Sequence, residues 1–160
     1  MANDKALREH VVKLLQGGEA HATFAQAIKG FPAEARGKTP HGAEHSAWQL
    51  LDHLRIALED LVDFSVNPDY KEMKWPDDYW PAGAAPPDGK AWDKAAKAYE
   101  RALQAMCDLV ADEGTDLFAR IPHGDGQTIL REALVAADHN AYHVGQIVLL
   151  RRLLGVWKAE

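Results

Sequence analysis

The sequence is poor in cysteine. Cys107 is the only one in 160 residues, so no disulfide can form within the chain, and a reducing compartment would permit that. Long apolar runs are missing as well. Near the C-terminus the longest is Ile147-Val148-Leu149-Leu150, far below the ~20 residues that span a bilayer. The opening MANDKALREH has no apolar signal core. Positive charge is in deficit: 18 Lys and Arg against 24 Asp and Glu leave a formal net charge of -6, which repels a phosphate backbone. No stretch alternates β-branched with polar residues, and no internal repeat is present. These absences speak against nucleic acid and membrane partners and leave a cytoplasmic globular protein. A 47% apolar and 26% charged composition suits one domain over residues 1–160, long enough to bury a continuous core. The surplus is in histidine, of which there are eight.

Periodicity organises the chain into helices. Between residues 4 and 29, Leu7, Val11, Leu14, Leu15, Phe24, Ala27 and Ile28 recur at helical spacing, with Gly17-Gly18 placed to kink or divide the element. Gly30 and Pro32 end it, and the aperiodic stretch FPAEARGKTPHGAEH is a loop. Ser46-Ala47-Trp48-Gln49 fits a capping box, which starts a second helix that runs to Asn67-Pro68. Residues 67–89 hold five of the eight prolines together with Tyr70, Trp75, Tyr79 and Trp80. This long aromatic connection is read as an apolar cap on the bundle end in preference to a lid. A third helix runs from Asp88 as N-cap to Gly114 as C′ glycine, and a fourth from Thr128 to Leu154, closed by Gly155. Four long helices without strands predict an all-α, antiparallel four-helix bundle whose second and third helices are joined by a crossover.

The chemistry concentrates on the fourth helix, in Asp138-His139-Asn140-Ala141-Tyr142-His143-Val144-Gly145-Gln146. Histidines four apart on a helix are turned by only ~40° and separated by ~6 Å along the axis, so both imidazoles can face one ion. They share a stripe with Val135, Ala136, Gln146, Ile147 and Leu150, which faces the interior. Two histidines in a core each need a polar partner, which either separate hydrogen bonds or one metal ion can supply; the ion is the preferred reading. His53 on the second helix, with Leu50 and Ala57 on its face, is the natural third ligand. His45 lies about 12 Å of rise from His53 and is expected to pack against the helix start. His21 and His41 are weaker candidates, and His10 and His123 read as solvated. Asp52 and Asp138, each rotated ~100° from a ligand, are expected on the solvated side. Cys107 is expected to be a small core residue, Gln146 to bond within the bundle, and Arg151 and Arg152 to suit the negative end of the last helix.

The pairing of WQLLDHLR with HNAYHVGQ resembles the DinB-like family of metal-binding four-helix bundles, also called the YfiT or damage-inducible family. Its usual pattern is one histidine on helix 2 and His-x3-His followed by Gly-Gln on helix 4, which His53, His139, His143 and Gly145-Gln146 match. GGEAH, PHGAEHSAWQLLDHLRIALEDLVDF and QTILREALVAADHNAYHVGQIVLLRRLLGVW extend the likeness over most of the chain. The resemblance implies up-down-down-up connectivity, frequent homodimers and a metal centre made of His53, His139 and His143. Leu153, Leu154, Val156 and Trp157, an apolar surface past the end of the other helices, give the dimer some independent support. Characterised relatives are mostly thiol-dependent transferases or isomerases. Three neutral imidazoles leave a divalent ion its charge and an open position, which expects a metal-dependent enzyme acting on a small molecule, of thiol S-transferase or hydrolase type. A low-molecular-weight thiol is the expected cosubstrate. Zinc and nickel come first as the metal, iron and copper after them. No catalytic residue is named. The rival expectation is a non-catalytic bundle in which the ion serves folding, dimerisation or binding.

Overall fold

The computed structural model describes residues 2–157. Its helices are α1 (Ala2–Gln16), α2 (Phe24–Ile28), α3 (Ala47–Val66), α4 (Ala91–Ala111) and α5 (Ile129–Leu153), with 3₁₀ turns at Ala33–Ala35 and Asp77–Tyr79. No strand occurs among the described residues. The expected four-helix bundle is present, and its first helix is divided rather than kinked. Gly17 and Gly18 take φ of 70° and 90°, a left-handed conformation that an α-helix cannot continue through. The chain restarts at Thr23, whose hydroxyl and the Gln26 side chain form a capping box.

Local chemistry sets the other ends. Ser46 and Gln49 make the expected capping box on α3. Thr128 caps α5 by accepting from the Arg131 N–H at 3.2 Å, and Gly155 closes it at φ 69°. The start of α4 differs from expectation. Lys90, not Asp88, is the N-cap, because Asp88 Oδ1 accepts from the Lys90 N–H at 2.6 Å and forms a turn just ahead of the helix. The helix ends earlier as well, at Asp112, whose carboxylate takes the Gly114 N–H in an Asx turn.

The long helices go round the bundle in the order α1, α4, α3, α5, so α3 packs on both α4 and α5, and α1 packs on the same two from the other side. Leu51, Leu54 and Leu58 of α3 meet Tyr99, Met106 and Val110 of α4 and Ala133, Ala136 and Ile147 of α5 in one buried cluster. Each such large apolar side chain contributes roughly 1.5–3 kcal/mol by leaving water. Cys107 is buried as expected, and burial pushes its thiol up to about 11, far from thiolate character. Arg8, 7% exposed, ties α1 to the end of α4 by donating to the carbonyls of Val110, Asp112 and Thr115 at 2.8–2.9 Å. Arg151 is buried too, and it donates to the Ala27 carbonyl at 2.8 Å, closing the C-terminal end of α2. Among the described residues no helix is long and apolar enough to cross a membrane.

Candidate metal centre

The Ser46 cap fixes where α3 begins, and His53 follows two turns later on the side that meets α5. His139 and His143 face it from α5. One ligating nitrogen from each of the three lies within 4.8 Å of the other two, the only such group of three among the described residues. His53 Nε2 and His139 Nε2 are 3.0 Å apart. The rings meet edge to face, with centroid separations of 4.9 Å (His53 and His139), 4.7 Å (His53 and His143) and 4.5 Å (His139 and His143).

Hydrogen bonds set which nitrogen each ring presents. His53 Nδ1 donates to the Tyr79 carbonyl at 2.9 Å, and His143 Nδ1 donates to Gln146 Oε1 at 2.7 Å. With their protons on Nδ1, both rings turn an Nε2 lone pair toward the centre. Gln146 therefore bonds within the bundle, as expected, and orients the His143 ring. Burial is the largest cause holding all three rings below the ordinary histidine value, with His139 at about 3 and His143 at about 4. Neighbouring His143 and His53 lower His139 further, and Gln146 partly counters the effect on His143. The site is thus three neutral imidazoles at neutral pH.

This donor set fits a divalent ion. Nε2 of His53 faces Nε2 of His139 at 3.0 Å, and ligands ~2.0–2.1 Å from a tetrahedral ion sit ~3.3 Å apart, close to that separation. No carboxylate joins the group. His53 is 2% and His143 7% exposed, while His139 is only partly buried, so solvent reaches the site from the His139 side. Tyr142 and Trp75, 63% and 70% exposed, flank it.

The remaining sequence candidates separate cleanly. The aromatic connection walls the site instead of capping the bundle end: the Trp80 indole lies flat on the His53 imidazole, centroids 3.9 Å apart and planes 3° apart. His45 stacks on Trp80 at 3.9 Å, which puts it on the opposite indole face, behind the wall and outside the ligand group. Asp138 is exposed as expected. Asp52 is not: it is 8% exposed and accepts from Arg55 at 2.7 Å. Because α3 is flanked by both α4 and α5, a side chain rotated ~100° from His53 still meets covered surface. His123 is exposed, yet it packs on Phe64 and bonds its carbonyl at 2.8 Å. His10, His21 and His41 lie at the surface, away from the centre. Two contributors escaped the sequence: the Tyr79 carbonyl, which has no side-chain signature, and Asp60, which lies on the His53 face two turns on and takes the Tyr79 hydroxyl at 2.6 Å.

Comparison with known proteins places this geometry in context. The sequence model described as the DinB superfamily matches residues 16–147, which include all three histidines, the whole of α3 and most of α5. No curated protein matches the chain, and no solved structure does.

Proposed function

Since the chain belongs to the DinB superfamily, we propose that it is a divalent-metal-dependent enzyme acting on a small molecule, of thiol S-transferase or hydrolase type, with His53, His139 and His143 holding the metal. The observation that carries this reading is the convergence of three neutral imidazoles, without a carboxylate, at a place solvent can reach. When bound, such an ion supplies undiminished positive charge that favours the deprotonated form of a thiol or water nucleophile. The chain's own part is to hold and shield. Tyr79 and Gln146 fix two ring tautomers, Trp80 closes the His53 face to water, and partly exposed His139 marks the side of entry. Zinc and nickel are proposed first, with iron and copper equally acceptable to imidazole.

The test is turnover of an electrophilic substrate with a small thiol, and of a hydrolytic panel, by protein of measured metal content. Chelation should abolish turnover and the native divalent ion should restore it. The second reading, a metal-stabilised bundle without turnover, draws support from how tightly His53 and His143 are packed. It expects an inert, metal-replete protein that loses thermal stability on chelation. A homodimer is proposed alongside either reading. Its support is an exposed apolar row on the outer face of α5, Leu134, Tyr142, Leu149 and Leu153, since Leu154, Val156 and Trp157 are partly covered. A reducing cytoplasmic setting belongs to the same reading and is supported by the lone buried thiol of Cys107.

A further inference from the structure

We propose that Asp60 is a positioning residue for His53: it pins the aromatic connection to α3 and so sets the tautomer and tilt of the imidazole without touching it. The Asp60 carboxylate is fully engaged by two tyrosines from that connection. Its Oδ1 accepts from the Tyr70 hydroxyl at 3.0 Å and its Oδ2 from the Tyr79 hydroxyl at 2.6 Å, one tyrosine to each oxygen. Hydrogen bonds to an ionised acceptor are about twice as strong as neutral ones. Asp60 follows His53 by seven residues, or two helical turns and ~10 Å along the same face. Tyr79 spans that distance: its hydroxyl sits on Asp60 while its carbonyl receives the His53 Nδ1–H at 2.9 Å. The next residue, Trp80, lies flat on the same imidazole. One carboxylate therefore fixes the register of the segment that touches His53 in two ways, through a hydrogen bond and through a stacked ring. Burial, with Asp60 as the next cause, raises the Tyr70 hydroxyl to about 12, so it stays a donor across the working pH range. Beside Asp60 is an open hollow of about 390 Å³ that Phe64, Tyr70, His123 and Glu132 also line.

Which His53 nitrogen carries the proton decides whether Nε2 offers a lone pair. The tautomer claim stands on geometry alone, and its consequence for metal binding rests on the function proposed above. The test begins with the metal-free full chain, in which nitrogen chemical shifts of the His53 ring report the tautomer. The parent should show Nδ1–H. In Asp60→Ala and Tyr79→Phe the ratio of Nδ1–H to Nε2–H should fall on the order of tenfold, and the double variant should fall no further than either single. Cobalt(II) affinity should drop by roughly tenfold in the same variants, the lower end of what outer partners of a ligating histidine contribute. Asp60→Asn, of the same shape, serves if Asp60→Ala does not fold. An unchanged tautomer in both single variants overturns the proposal whatever happens to thermal stability, because a merely structural role moves stability alone. A changed tautomer with unchanged cobalt affinity overturns the extension to the metal. A parent that binds no cobalt counts against the metal reading, and the tautomer still decides the role of Asp60.

Discussion

His139 and His143 stand one turn apart on α5 and differ in cover, His143 buried and His139 partly open, yet both rings join one cluster with His53. Substituting either by Ala should remove most bound metal, whereas Asp138→Ala, an exposed neighbour, should leave metal content unchanged by elemental analysis. Equal loss in all three would mean that the inward face of α5 has been misassigned. Acid should act through the same rings. In the metal-free fold His139 sits at about 3 and His143 at about 4, against 6.5 for an unburied imidazole. Between those limits the unfolded chain binds more protons than the native one, so stability is full above pH 6.5 and declines as pH falls toward 4. Thermal melts of metal-free protein should show that decline, with a shallower slope in His139→Ala. At this scale the three-histidine cluster was legible because four-residue spacing on a helix puts two imidazoles on one face. Asp60 and the Tyr79 carbonyl were not legible, since they act only through the path of an irregular segment that periodicity does not describe.

Among the elements, α3 carries the centre and owes its register to Ser46. That residue is fully buried, accepts the Gln49 N–H at 3.2 Å and donates to the Ala84 carbonyl, so it joins the helix start to the connection a few residues past the point where it crosses the site. Ser46→Ala should lower stability by about 1–2 kcal/mol in chemical denaturation, the upper part of the range for a lost N-cap, because the bond to the Ala84 carbonyl goes as well. Both capping boxes and the Gly17-Gly18 break involve neighbours in sequence, and the box on α3 and the division of the first helix follow from such local signals. The start of α4 was misplaced because Asp88 has the right chemistry for a cap but spends its oxygen on the turn before the helix. The aromatic connection was misread for a different reason. Composition marks the segment as aromatic, and only the packed bundle shows that Trp80 lies against His53.

For the molecule as a whole, α1 lies almost wholly before the stretch matched by the superfamily, yet it closes one side of the bundle against α4 and α5. Its anchor is Arg8, and Arg8→Ala should destabilise the fold by about 3 kcal/mol, since three carbonyls lose a charged donor in a covered position. Metal content of the folded fraction should hold, because α1 contributes no ligand. The ring order has a kinetic consequence as well. His53 and His139 touch across 86 positions of chain, and α4, which lies between them in sequence, docks on α3. Closing so long a loop is entropically expensive before the intervening helix has packed, so the three imidazoles should come together late, on the native side of the folding barrier. An ion that binds only the assembled centre should then slow unfolding in proportion to its affinity and leave the refolding rate almost untouched. Stopped-flow denaturant jumps with and without zinc should therefore move only the unfolding limb, making the metal a brake on the loss of the fold rather than a seed for its formation.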